Sequence, residues 1–117
     1  MTTAVDRFVT VAQIGQLAPG DILAIEVAGR AIVLYRDGDH YFAAQRRCLH
    51  QGGDLADGIV SRGHLVCPVH GWRFHVATGA LAASPETCLA TYAVRVTGTE
   101  IQIDPTPVHA AGRGGPL

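Results

Sequence analysis

Two short clusters constrain this chain more than any other feature: Cys48-Leu49-His50 and, after sixteen intervening residues, Cys67-Pro68-Val69-His70. Each offers one thiolate and one imidazole, side chains that ligate zinc and iron. The fold must therefore hold two tight loops side by side. Two metal chemistries use this donor set, and a third reading leaves the four residues as unpaired structural side chains. A zinc ion takes Cys₂His₂ as a closed tetrahedron. Zinc fingers, however, run Cys, Cys, His, His, whereas the order here is Cys, His, Cys, His. A two-iron, two-sulfide centre gives one iron both Cys and the other both His, with bridging sulfides completing each tetrahedron. Two ferric ions, two sulfides and two thiolates sum to a neutral oxidised centre, while four thiolates leave it doubly negative. The neutral centre accepts an electron more readily, so mixed Cys/His ligation raises the potential.

The rest of the chain reads as all-β. Residues 7–14 are rich in Val, Thr and Phe and stop at Gly15; residues 22–27 and 30–36 are β-rich runs separated by Ala28-Gly29, a hairpin-length gap. Asp37-Gly38-Asp39 is a second turn, and residues 40–45 return as a fourth strand. Between Arg46 and Ala80 the texture changes, with many Gly, four of the six His and the only Trp. A short hairpin is expected over 59–61 and 64–67, turning at Arg62-Gly63, and another strand over 72–76, closed by Thr78-Gly79. Strands at 91–96 and 100–104 follow. The expected architecture is a β-sandwich or barrel base with a small β subdomain inserted between its strands. One domain is expected over 1–104, with the cluster-binding subdomain at about 46–80 and a Pro- and Gly-rich flexible tail over 105–117.

Charge and composition remove several classes of function. Every basic residue is Arg and the net charge is −1, which argues against nucleic-acid binding. The apolar runs at 22–25 and 31–35 are too short to span a bilayer. The N-terminus lacks the charged start and long apolar core of a secretory signal, and Arg46-Arg47 lies mid-chain, so a cytoplasmic location is expected. Three Cys without a signal do not make a disulfide framework. No G-x-G-x-x-G precedes a helix, and no nucleophile pairs with a base.

On the Cys-x-His and Cys-x-x-His pair, Gly53-Asp54-Leu55, the run from Cys67 through Gly71-Trp72-Arg73-Phe74, Thr78-Gly79, and Leu89, Tyr92, Val94 and Val96, the chain resembles the Rieske family. The likeness spans roughly residues 8–104. It implies one Rieske [2Fe-2S] cluster per chain, with Cys48 and Cys67 on the inner iron and His50 and His70 on the outer, more exposed one. High-potential members carry an extra Cys in each loop, joined as a disulfide; those positions here are Gly53 and Val69. They also place Ser where Trp72 stands. With fewer donors to stabilise the reduced cluster, the potential is expected near the low end, roughly −150 to 0 mV. His75 stands where the family usually has Asp, and is expected to be a solvent-facing strand residue. Cys88 is expected to be a reduced, partly buried thiol, and His40, His64 and His109 surface or turn residues.

All four metal ligands would come from the protein, leaving no open position for a substrate. The resemblance therefore implies a non-enzymatic electron carrier, the free-standing ferredoxin component of a bacterial ring-hydroxylating oxygenase system. Such a carrier takes electrons from an NAD(P)H-dependent flavoprotein reductase and delivers them singly to a terminal oxygenase. The alternative is the small subunit of an NAD(P)H nitrite reductase. A monomer docking its partners at the His50/His70 end is expected, with Arg46, Arg47, Arg62 and Arg73 as a basic rim.

Overall fold

The computed structural model describes residues 7–49, 53–69 and 71–108. Its strands are β1 Val9–Gln13, β2 Ile22–Val27, β3 Arg30–Asp37, β4 His40–Gln45, β5 Ile59–Ser61, β6 His64–Val66, β7 Arg73–His75, β8 Ala80–Leu81, β9 Ser84–Cys88, β10 Thr91–Tyr92, β11 Val94–Thr97 and β12 Glu100–Ile103. They form a three-stranded sheet β1-β12-β11, a four-stranded sheet β10-β4-β3-β2 and a five-stranded sheet β5-β6-β7-β8-β9. Every strand pair is antiparallel. No helix among the described residues is long and apolar enough to cross a membrane.

The four-stranded sheet is the middle layer, and the apolar run in β3 shows why. A strand with one wet face alternates apolar and polar, whereas one buried on both faces is apolar throughout. Ile32, Val33, Leu34 and Tyr35 are all fully buried. Ile32 and Leu34 pack with Ala43, Ile101 and Ile103, toward the three-stranded sheet. Val33 and Tyr35 point the other way, into a second core with Leu65, Phe74, Leu81 and Leu89. β4 divides in the same manner, Ala43 to the first core and Ala44 to the second.

The hairpins expected at Ala28-Gly29 and Arg62-Gly63 are present, with Val27 opposite Arg30 and Ser61 opposite His64. In both turns the two central residues have positive φ, 52° and 76° in the first and 54° and 79° in the second. That is the backbone of a two-residue turn whose twist matches its strands.

Three expectations need correction. Strands β8 and β9 were not anticipated, and they carry the inserted sheet on to Cys88. The single strand expected over 91–96 is broken at Ala93: Thr91–Tyr92 pair with β4, while Val94–Thr97 pair with β12. The stretch expected to begin a flexible tail is tied down at Val108, whose N–H and C=O exchange hydrogen bonds of 2.7 and 2.8 Å with Thr91. The remainder of that tail, and His109, lie outside the described residues.

One side-chain bond joins the middle sheet to the inserted subdomain. The buried Tyr35 hydroxyl donates to the Val76 carbonyl at 2.6 Å, just past β7. Burial pushes its pKa up, so it stays a donor. Tyr35→Phe leaves a buried carbonyl unpaired, and is expected to lower stability by about 1–3 kcal/mol. Denaturant unfolding midpoints check this; an unchanged midpoint contradicts the role.

Candidate metal centre

The two cysteine clusters occupy the ends of short strands and are closed on one plan. Cys48 lies three residues past β4, and Cys67 directly follows β6. The Cys48 N–H donates to the Gly53 carbonyl at 2.7 Å, and the Cys67 N–H donates to the Trp72 carbonyl at 2.8 Å. In each case a ligand-type cysteine is tied to the residue five positions on, and the histidine of the motif falls within the closed segment.

The loops meet at a thiol. A Cβ added at Gly53 would sit 2.8 Å from the Cys67 Sγ and 3.1 Å from the Val69 Cγ2. No side chain fits there, so glycine lets the end of the first loop lie against the sulfur of the second. The two positions where some members of the resembled family carry a disulfide are thus in contact, and Val69 fills the space over Gly53. None of the three cysteines is in a disulfide. Cys48 and Cys67 are 4 % and 0 % exposed, and both close the top of the second core, above Leu55, Leu65, Phe74 and Leu89. The Val69 N–H lies 3.4 Å from the Cys67 Sγ and donates to it. Such a donor favours negative charge on the sulfur.

His50 and His70 lie outside the described residues. The structure brings together Gly53 of the first cysteine loop and the Cys67 sulfur of the second. Among the described residues, no three His, Cys, Asp or Glu side chains gather to hold a metal.

The expected arginine rim is reduced by one member. Arg46 faces Asp54 in a two-pronged pair, Nε to Oδ1 and Nη2 to Oδ2, each at 2.9 Å. Two further hydrogen bonds staple the base of the first loop. The Leu55 N–H donates to the Arg46 carbonyl, and the Asp54 Oδ1 accepts the Ala56 N–H at 2.9 Å. The motif alone assigns Asp54 no task; the signal for this pair is a carboxylate and an arginine just outside either end of the Cys-x-His loop. Hydrogen bonding from the Arg46 guanidinium holds the Asp54 carboxyl below the usual carboxylate range, and Asp54 in turn raises Arg46.

The other expected residues fall as follows. Trp72 is half-buried with its ring 6.4 Å from that of Phe74, so it packs on the second loop. His75 is exposed on β7, and its Nδ1 accepts the N–H groups of Ala77 and Thr78 at 3.2 and 3.4 Å. That is the work an Asp side chain does in an Asx turn, which accounts for the exchange at this position. Cys88 is partly buried and directs its Sγ at the Pro85 carbonyl, 3.4 Å away. His40 is exposed, and His64 lies in the row opposite His75.

A Rieske [2Fe-2S] domain model matches residues 7–93. The chain belongs to the Rieske [2Fe-2S] family. It is 28 % identical over 100 residues to the ferredoxin component of a naphthalene 1,2-dioxygenase system from Pseudomonas aeruginosa, covering 85 % of this chain and 96 % of that protein. The solved ferredoxin of carbazole 1,9a-dioxygenase from Nocardioides aromaticivorans IC177 is similar at 36 % identity and a TM-score of 0.79, over 86 % of this chain and all of the other. A ferredoxin in a complex of reduced oxygenase and oxidised ferredoxin of carbazole 1,9a-dioxygenase matches at 26 % and 0.77, over 95 % and 98 % of the two chains. A nitrite reductase small subunit from Mycobacterium tuberculosis, at 21 % identity and 0.77 over 86 % and 96 %, shares the fold.

The cofactor of this Rieske chain is a [2Fe-2S] cluster. Two buried thiols at one end of a core, with an N–H donor on one sulfur and a glycine beside it, fit that group.

The Arg46–Asp54 pair generates a pH prediction. A depressed folded pKa contributes stability above the unfolded pKa and loses it as pH falls through the folded value. At neutral pH the Asp54→Asn variant is therefore expected to lose its visible cluster absorption faster than wild type. The two rates converge as pH falls through the lowered pKa of Asp54. A constant ratio at every pH contradicts the charge pair as the staple.

Proposed function

We propose that this protein is a soluble, cytoplasmic, one-electron carrier that takes electrons from an NAD(P)H-dependent flavoprotein reductase and gives them to a terminal oxygenase. The observation that carries the reading is near full-length likeness to ferredoxin components at higher identity than to the nitrite reductase subunit. The naphthalene dioxygenase ferredoxin component matches over 96 % of its own length at 28 % identity and the carbazole dioxygenase ferredoxin over all of its length at 36 %, against 21 % for the nitrite reductase small subunit. In this reading Cys48 and Cys67 hold one iron and His50 and His70 the other. With four protein ligands filled, no position is left for a substrate, and the chain has no catalytic residue.

When bound, the cluster supplies a redox centre for single electrons. The chain's own residues do three things for it. Leu55, Leu65, Phe74 and Leu89 keep water from the buried side of the two thiols. The Val69 N–H, donating to the Cys67 sulfur, favours the added negative charge. Leu49 is 44 % exposed and Pro68 is exposed, so each loop turns an apolar residue outward next to a ligand. A partner docking there excludes water and shortens the electron's path.

A reconstitution assay tests the proposal. Reduction by a separate flavoprotein reductase with NAD(P)H, followed by reoxidation by a terminal oxygenase with its substrate, is the expected result. Reoxidation that requires a nitrite reductase catalytic subunit, in a complex that does not dissociate, contradicts it.

A further inference from the structure

Two clefts flank the strand that leaves the second ligand loop. One, of 460 Å³, is lined by Ile59, Ser61, Arg62, Val66, Gly71 and Arg73. The other, of 470 Å³, is lined by Gly71, Trp72, Arg73, Leu81, Ala82 and Ala83. They share Gly71 and Arg73, so together they form one surface that begins at the residue after His70.

The two halves differ in chemistry. The first is cationic, with Arg62 and Arg73 among its lining residues and no carboxylate. Neither guanidinium has an ion-pair partner among the described residues. Three other arginines are committed within the fold: Arg46 to Asp54, Arg36 to the carbonyls of Leu17 and Gly38, and Arg95 over the Phe8 ring. The second half is apolar apart from Arg73, with the half-buried Trp72 ring as one wall. Register explains the first arrangement. Ile59, Val66 and Arg73 stand in one cross-strand row, and Ser61, His64 and His75 in the next, all on the face of β5-β6-β7 opposite Leu65 and Phe74. Ile59 remains 59 % exposed there.

From this we infer that the flank formed by Arg62, Arg73, Trp72 and Ala83 is a docking surface for the terminal oxygenase, recognising carboxylates beside an apolar side chain. The inference rests on the carrier reading above and deepens it by giving the partner's chemistry and the side it approaches from. Charge complementarity selects an acidic surface, and unpaired arginines steer encounter over long range. The adjoining apolar cleft takes the side chain that fixes orientation. The footprint is then asymmetric about the ligand loops, lying on the β7 side and away from the Arg46–Asp54 staple.

Stopped-flow oxidation of the dithionite-reduced holoprotein tests this, with the terminal oxygenase of carbazole 1,9a-dioxygenase as acceptor at about 20 to 300 mM salt. The Arg62→Glu/Arg73→Glu double variant is expected to lower the second-order rate constant roughly tenfold or more at low salt, with the gap closing at high salt. Ala83→Arg is expected to slow the reaction at high salt, where charge is screened and only the apolar contact remains. Arg95→Glu, on the three-stranded sheet beyond the middle layer, is expected to behave as wild type. Voltammetry of each variant must give the wild-type potential, which separates docking from effects on the cluster. A double variant as fast as wild type, or one slowed no more than Arg95→Glu, overturns the inference. A loss confined to reduction by the flavoprotein reductase assigns the surface to that protein instead, and overturns it too. A wild-type protein that reduces no oxygenase overturns the carrier reading along with this one, and is recognised because no variant is needed to see it.

Discussion

The contact between Gly53 and the Cys67 sulfur is the constraint on which the rest of the site depends. Two loops from different hairpins meet at the Cys67 sulfur. The approach leaves no room for a Cβ at Gly53. Everything nearby serves that approach. Each loop is closed by an N–H of its own cysteine, the first is stapled at its base by Arg46 and Asp54, and Val69 fills the space above Gly53. Beneath them, Tyr35 ties the middle sheet to the strand that leaves the second loop.

Much of this was legible in the sequence because the signals were local. Cys48, His50, Cys67 and His70 are separated by spacings that few other arrangements use, and the turns at Ala28-Gly29 and Arg62-Gly63 announce their hairpins. What stayed hidden was non-local. β9 contains Pro85 and has no buried residue, so it has neither the composition nor the alternation of a strand; the proline is tolerated because β9 is the sheet's edge. The break at Ala93 could not be read, since residues 91–96 carry no Gly or Pro to mark it and Tyr92, Ala93 and Val94 form one apolar run while the pairing partner changes. Nor do adjacent arginines reveal that it is Arg46 that makes the two-pronged pair, because the distinction lies in Asp54 across the loop. His75 shows the same limit: its spacing carried no role, and only the turn it accepts from explains it.

Burial on both faces of β3 gives the molecule its division of labour. One face secures the base through the three-stranded sheet, and the other supports the thiols. A change of charge or shape on the inserted sheet's outer face therefore reaches the partner surface without passing through either core. With a net charge of −1, the chain has no overall field to attract an acidic partner, so attraction depends on where its exposed arginines stand. Arg62 and Arg73 are placed beside the second ligand loop, where that attraction is useful.

The most direct test of the central claim is an EPR spectrum of the dithionite-reduced protein, with iron and acid-labile sulfide assayed on the same sample. Ligation by Cys48, Cys67, His50 and His70 predicts a rhombic signal with an average g clearly below that of an all-cysteine cluster, together with equal amounts of iron and sulfide. Bound zinc with no sulfide and no signal, or a spectrum of the all-cysteine type, contradicts it.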